Sequence, residues 1–402
     1  MPQARANLIY VLAGIIALGP LSVDLYLPAM PAMVGYFDTD ISQVQMTLSS
    51  YLLGFALFHL VCGPLSDRFG RKPVLLGGLA LYVVMSGLCA VATTIDELIV
   101  YRFIQAMGAC CAPTLGRAIV RDVYPPEKAV KALAYVSSLM AIAPVMAPSL
   151  GGILVSFGDW RLTFWSLVGF GLLAMALTLF LVDESLPQKQ PLHPRIIGKN
   201  FLTLLSSHHF VGNVLTSSFL YAGAFAFLSG ASFVLIEFFN VKPIHFGLYF
   251  MFIVAGYIGG NLFTAKIAHR WPPARAFKLG IATSVIPSSL MVAANLAGYF
   301  HPVLAVVPVL FVTLAIGLVL PQAMGEALKP FAHMAATASA MMGFMQMTVA
   351  SLAGWLVGVF LVDNPLPMAI VILGTGISSG LCYLLFLRKV HQQESQEPVF
   401  VD

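Results

Sequence analysis

The chain has 402 residues, of which 59% are apolar and only 9% charged, and its mean hydropathy is +0.89. Soluble domains run near 25% charged, so this composition excludes a water-facing globule of such length and points to a membrane protein. The net charge of +4 is small and scattered, which argues against a nucleic-acid partner.

A membrane-spanning helix needs roughly 20 mostly apolar residues. In chain order the hydropathy predicts twelve such runs, at 8–30, 44–64, 73–93, 97–117, 129–156, 162–183, 209–236, 246–268, 276–297, 303–326, 336–361 and 367–387. Unpaired backbone groups are not tolerated in lipid, and the strict alternation of a barrel is absent, so the runs are expected to be helices. The first run follows a single Arg and lacks a small-residue cleavage site, so it reads as a retained span rather than a signal peptide. The longest polar gap, residues 183–200, lies near the middle of the chain. It predicts an N-terminal six-helix bundle over 1–185, a cytoplasmic linker over 186–207, and a second six-helix bundle with a short tail over 208–402.

Lys and Arg set the orientation. With an even number of spans both termini share a side. Assigning that side to the cytoplasm gives it every one of the 21 Lys and Arg except Arg161 and Lys242, which face outward, and Arg102, which sits inside a span. The expected location is a bacterial inner membrane. The five cysteines, Cys62, Cys89, Cys110, Cys111 and Cys382, lie in apolar stretches without metal-ligand spacing to His and read as packing residues. No metal or cofactor site is predicted, and neither a Walker-type loop nor a G-x-S-x-G elbow is present.

Asp24 is the one acid well inside a span, and Arg102 the one base. An ionisable group there costs roughly 2.5–3.5 kcal/mol on insertion scales and is a functional candidate by default. At about 1.5 Å per residue both lie roughly 8–9 Å below the outer surface. Desolvation disfavours a carboxylate and a nearby Arg favours it, so an Asp between these influences can take and release a proton. The competing reading is a static ion pair that braces the bundle.

Four segments carry a family resemblance. After span 2 the chain reads Gly63-Pro64-Leu65-Ser66-Asp67-Arg68-Phe69-Gly70-Arg71-Lys72-Pro73. This is similar to the G-x-L-[SA]-D-R-x-G-R-[KR] loop of the major facilitator superfamily. Asp24-Leu25-Tyr26-Leu27-Pro28-Ala29-Met30-Pro31, Arg102-Phe103-Ile104-Gln105-Ala106-Met107-Gly108 and Ala143-Pro144 through Pro148-Ser149-Leu150-Gly151-Gly152 resemble motifs of its drug:proton antiporter branch. Phrases such as LSVDLYLPAMP and GPLSDRFGRKPV look like the bicyclomycin/chloramphenicol resistance subfamily.

The resemblance implies an all-α fold of two six-helix bundles and a proton-coupled exporter of small apolar or amphipathic molecules. Such a carrier acts as a monomer in lipid and is driven by the proton gradient rather than by a cofactor. An exporter of one metabolite or siderophore is the alternative. The resemblance also implies that Asp24 couples protons, and that Tyr26, Arg102 and Gln105 line the substrate cavity. Gly63, Asp67, Arg68, Gly70, Arg71 and Asp122 would form a gating loop with Arg71 near Asp122, and Pro144, Pro148, Gly151 and Gly152 an antiporter face packed on the opposite bundle. In the second half Asn213, Tyr221 and Phe225 share a helical face and join Gln346 as softer cavity candidates, for which plain packing competes. Two departures stand out. His59 replaces a usual Gln, and Ile16 is apolar where some relatives carry a second acid. His59 and Glu237 are therefore further candidates for proton movement.

Overall fold

The computed structural model describes residues 3–125, 132–133, 135–136, 139, 142–186, 194–267, 271–361 and 364–388. Among the described residues the ordered elements are all helical. Eleven helices are long and apolar enough to cross a membrane: α1 Leu8–Phe37, α2 Ile41–Phe69, α3 Arg71–Val91, α4 Ile95–Val123, α6 Arg161–Leu181, α7 His208–Phe238, α8 Pro243–Lys266, α9 Pro273–Leu296, α10 Pro302–Phe331, α11 Thr337–Phe360 and α12 Leu366–Leu387. The shorter α5, Ile142–Ser156, stands where the fifth span is expected, and most of that span's first half lies outside the described residues. The segment read as linker contains a helix of its own, Pro194–Ser206.

Local chemistry explains where helices run past their apolar stretches. Asp40 caps α2 by accepting the Gln43 N–H at 2.8 Å. The helix then continues through Pro64 and the polar motif to Phe69. A single residue, Gly70 at φ +109°, separates it from α3. The expected loop is thus two helix ends and one glycine, in a backbone region that side chains rarely adopt. Thr94 and Glu97 form a capping box at the start of α4, so Glu97 serves the helix end rather than the membrane interior.

α1 is irregular for a reason written in its prolines. Pro28 has no N–H to bond the Asp24 carbonyl four residues back, and Pro31 none for Leu27. Regular helix accordingly stops at Asp24, a 3₁₀ turn spans Leu27–Ala29, and α-helix resumes at Met30.

The chain divides into two compact units. The first comprises Met1–Pro194 with Ala231–Phe250, and the second Arg195–Gly230 with Met251–Asp402. In the first unit α4 packs on both α2 and α3, and α3 on α6. The buried run Ala109, Cys110, Cys111 and Ala112 presents small side chains at these seams, where close approach rather than hydrophobicity drives helix association in lipid. In the second unit α10 packs on α9, and α9 on α12. Its core gathers Leu220, Phe277, Ile316, Leu318 and Tyr383, with the Phe277 and Tyr383 rings stacked at 5.8 Å. Large apolar side chains such as Phe180, Leu290 and Leu385 are left exposed, which suits a surface whose solvent is lipid.

Candidate functional site

The break in α1 places Asp24 where its helix is least regular. The residue is buried, and among the described residues it forms no ion pair. Its neighbours on the same turn reach other helices. Ser22 Oγ bonds the Leu18 carbonyl at 2.6 Å and meets the Tyr82 hydroxyl of α3 at 2.7 Å. The Tyr26 hydroxyl meets Thr47 Oγ1 of α2 at 2.5 Å. The residues two before and two after Asp24 thus tie α1 to α3 and α2.

Arg102 of α4 is fully buried in the same unit, yet it does not pair with Asp24. Its Nη1 donates to Gln105 Oε1 at 2.7 Å and to the Ser22 carbonyl at 3.1 Å. The guanidinium carbon lies 4.3 Å from the Tyr51 ring centre, 4.4 Å from Tyr26 and 5.7 Å from Phe164. Three aromatic faces therefore take the place of a counter-ion. Gln105 passes the contact on, its Nε2 donating to Ser86 Oγ of α3 at 2.7 Å. Tyr26, Arg102 and Gln105, singled out by motif, meet here. Thr47, Tyr51, Tyr82, Ser86 and Phe164 were not singled out, because helical spacing does not reveal which residues of other helices lie opposite.

The motif after span 2 closes on itself around Arg71. Its Nη1 lies 2.6 Å from Asp67 Oδ1 and from Ser66 Oγ, and its Nε donates to Asp122 Oδ2 at 3.0 Å. The expected Arg71–Asp122 contact is present. Arg68 rests near its neighbour Phe69, with 5.5 Å from guanidinium to ring. Gly63 has open space where a Cβ would stand, so helix approach does not explain that glycine. The residue sequence reasoning missed is Glu184, just after α6. Its carboxylate accepts the Arg71 N–H at 2.9 Å and the Lys72 N–H at 3.3 Å, at the open start of α3. It also fills the space a Gly70 side chain would need. Partial burial pushes the Glu184 pKa up, but bonds from the Leu186, Arg71, Lys72 and Ser185 N–H groups outweigh this and hold it below the usual carboxylate value. The signal available was the acid itself, at the start of the polar gap that follows span 6.

On α5, Pro148, Gly151 and Gly152 are buried and Pro144 half-buried. A Cβ on Gly151 would strike the Leu25 carbonyl of α1, and one on Gly152 the Pro243 carbonyl. Ser149 fills the equivalent space at Gly247. This face therefore packs on α1 and on residues from the later half of the sequence that belong to the first unit.

In the second unit Asn213 is buried, its Nδ2 bonded to the His209 carbonyl at 2.9 Å. The Tyr221 and Phe225 rings lie 4.9 Å apart, tilted to one another, on the same face of α7. Gln346 is half-buried on α11, a helix that α7 touches through Ser229 Oγ and the Gly354 carbonyl, 3.1 Å apart. His59 is half-buried, 3.6 Å from Cys110 Sγ, and Glu237 lies exposed at the end of α7.

The sequence matches the family model described as Major Facilitator Superfamily over residues 12–354. It is 29% identical to "Uncharacterized MFS-type transporter YdgK" of Bacillus subtilis, over 95% of each chain. It is 28% identical to "Bicyclomycin resistance protein homolog" of Haemophilus influenzae, over 95% of this chain and 97% of that one. It is also 28% identical to "Multidrug resistance protein MdtL" of Shigella flexneri, over 86% of each. Among solved structures, a bacterial homologue of the human lysosomal transporter Spinster aligns with a TM-score of 0.76 at 16% identity, covering 99% of this chain and all of that one. The E. coli xylose transporter XylE aligns at 0.70 with 16% identity, covering 95% and 98%. At such identity these two likenesses concern the fold alone.

Proposed function

The chain belongs to the Major Facilitator Superfamily, and we propose that it is a proton-driven exporter of small apolar or amphipathic molecules. The observation that carries this reading is Asp24, a buried carboxylate without an ion-pair partner among the described residues, set at a helix break in the same unit as a buried Arg102 held by rings. A carboxylate fixed in a salt bridge is poorly suited to exchange its proton. One that is buried and unpaired can hold the proton in one state and release it in another. The relatives named for multidrug and bicyclomycin resistance support export as the direction and drug-like molecules as substrates.

A proton entering along the membrane potential supplies roughly 2.3 kcal/mol per 100 mV. At about 1.4 kcal/mol per tenfold, that sustains a gradient on the order of forty-fold for a neutral substrate. In this reading Tyr26, Gln105, Asn213, Tyr221, Phe225 and Gln346 face the substrate, while the knot around Arg71 and the α5 face serve as gates. Residues 1–185 and 208–402 act as the two moving halves joined by 186–207. The protein works as a monomer in the lipid of a bacterial inner membrane, with both termini in the cytoplasm. It needs the proton gradient and no cofactor.

The test is a susceptibility panel of antibiotics, dyes and small metabolites in an efflux-deficient host. The chain should raise tolerance to at least one compound, and Asp24→Asn should abolish that gain at equal membrane abundance. Equal protection by both forms would refute the reading.

A further inference from the structure

We propose that the exposed side of the helix Pro194–Ser206 lies on the membrane surface and binds the headgroup of an anionic phospholipid. The inference rests on the membrane-spanning fold and is independent of the direction and coupling of transport.

Charge sets this segment apart. From Ser185 to Ile236 the chain carries no Asp or Glu, and Lys189, Arg195 and Lys199 stand in its first part. Their positive charge has no acid in the same stretch to offset it. Among the described residues Lys199 enters no ion pair. Position then brings the helix to lipid. Only Ser207 separates it from α7, which starts at His208 and is long and apolar enough to cross the membrane. Leu202 stands a few residues before that start, about 10 Å of chain at the helical rise.

The two sides of the helix differ. Ile197, Phe201 and Leu204 follow one another at i, i+4 and i+7 and so share a face, on which Leu204 is buried and the other two half-buried. From Arg195 on, the helix belongs to the second unit, so this is the side that packs. Lys199, Leu202 and Ser206 share the other side, and all three are exposed. Leu202 is 67% exposed and Leu205, on its flank, 47%. Exposed leucines beside an unpaired lysine are what a helix in the interface needs. The leucines enter the acyl boundary, and the lysine stem carries its charge up to the phosphate level.

The hydroxyls on this side fit the same setting. Thr203 Oγ1 donates to the Lys199 carbonyl at 2.9 Å, and Ser206 Oγ to the Leu202 carbonyl at 2.8 Å. Both polar groups are satisfied within the helix, which lowers the cost of leaving water. An anionic headgroup is favoured over a zwitterionic one because it brings no cation of its own to oppose Lys199. An acidic protein would have to displace the headgroup layer to reach leucines so close to the start of α7.

The experiment uses the full chain carrying Leu202→Trp, with the unsubstituted chain and its four native tryptophans as background. Both are reconstituted in liposomes of one fixed mixture of phosphatidylglycerol and phosphatidylcholine. In one set the bromine quencher sits on the acyl chains of phosphatidylglycerol, in the other on those of phosphatidylcholine. The introduced indole should be quenched in both sets, and several-fold more by the anionic carrier. Adding Lys199→Gln should cut that preference roughly fivefold, the usual worth of one basic residue at an anionic surface. Both substitutions fall on exposed positions, so folding is spared. Absence of quenching by either carrier means that the helix stands off the membrane and overturns the proposal. Equal quenching by the two carriers overturns the choice of an anionic headgroup, and a preference untouched by Lys199→Gln overturns the role of this face. The readout involves no transport, so its failure is distinct from a failure of the export reading.

Discussion

The two units treat buried polarity differently. In the first, side chains bond to side chains of other helices: Ser22 to Tyr82, Tyr26 to Thr47, Gln105 to Ser86, Arg71 to Asp122. In the second, polar side chains mostly reach backbone carbonyls. Asn213 and Ser288 bond their own helices, while Thr264 reaches Gly317 and Ser379 reaches Thr216. Bonds to helical carbonyls staple a fold, because the acceptor cannot turn. Bonds between side chains can be exchanged when a charge nearby appears or disappears. The contrast teaches that, among the described residues, exchangeable contacts between side chains of different helices gather in the first unit, while the second buries its polar groups chiefly against backbone.

The sharpest way to break that contrast is to delete one buried polar group from each unit. Arg102→Leu should lower proton-driven transport by about two orders of magnitude, the size of effect expected when a group assisting proton transfer is lost. Ser288→Ala should change it less than about threefold, since only a bond to its own helix is lost and such bonds contribute about 1 kcal/mol. Initial rates in proteoliposomes at matched protein density decide the matter. Comparable losses would mean that switching chemistry is shared between the units.

A smaller effect is expected at the knot. Gly70→Ala combines an unfavourable φ with a collision against the Glu184 carboxylate, and should cost about 1–3 kcal/mol of stability in thermal unfolding. Smaller still, and dependent on pH, is Glu184→Gln. The folded pKa of Glu184 is lowered, so its stabilisation is complete above the ordinary carboxylate value and fades as pH falls through the folded one. At pH 7 the variant should melt about 1–2 °C lower, the usual worth of an exposed carboxylate at a helix start. Well below about pH 4 the two proteins should melt together. A difference that grows on acidification would contradict the capping role.

Much of this was legible in the sequence. Hydropathy located the spans because lipid leaves a helix no alternative. Asp24 and Arg102 announced themselves as charges without an excuse. What stayed hidden was the register between helices. Thr47, Tyr51, Tyr82 and Ser86 look like ordinary span residues until three helices are placed side by side. Glu184 was hidden by its surroundings, a polar stretch whose composition says linker whatever its side chains hold. The packing of Pro243 and Gly247 on α5 links residues far apart in sequence, which no local pattern encodes.

The most direct test of the central claim uses purified chain in liposomes loaded with a compound that the susceptibility panel identifies, and an imposed pH step. Wild type should move the compound against its gradient with a matching proton flux. Asp24→Asn should bind it and exchange it at equilibrium while moving neither protons nor compound uphill. Uphill movement by Asp24→Asn on the same pH step would contradict the account.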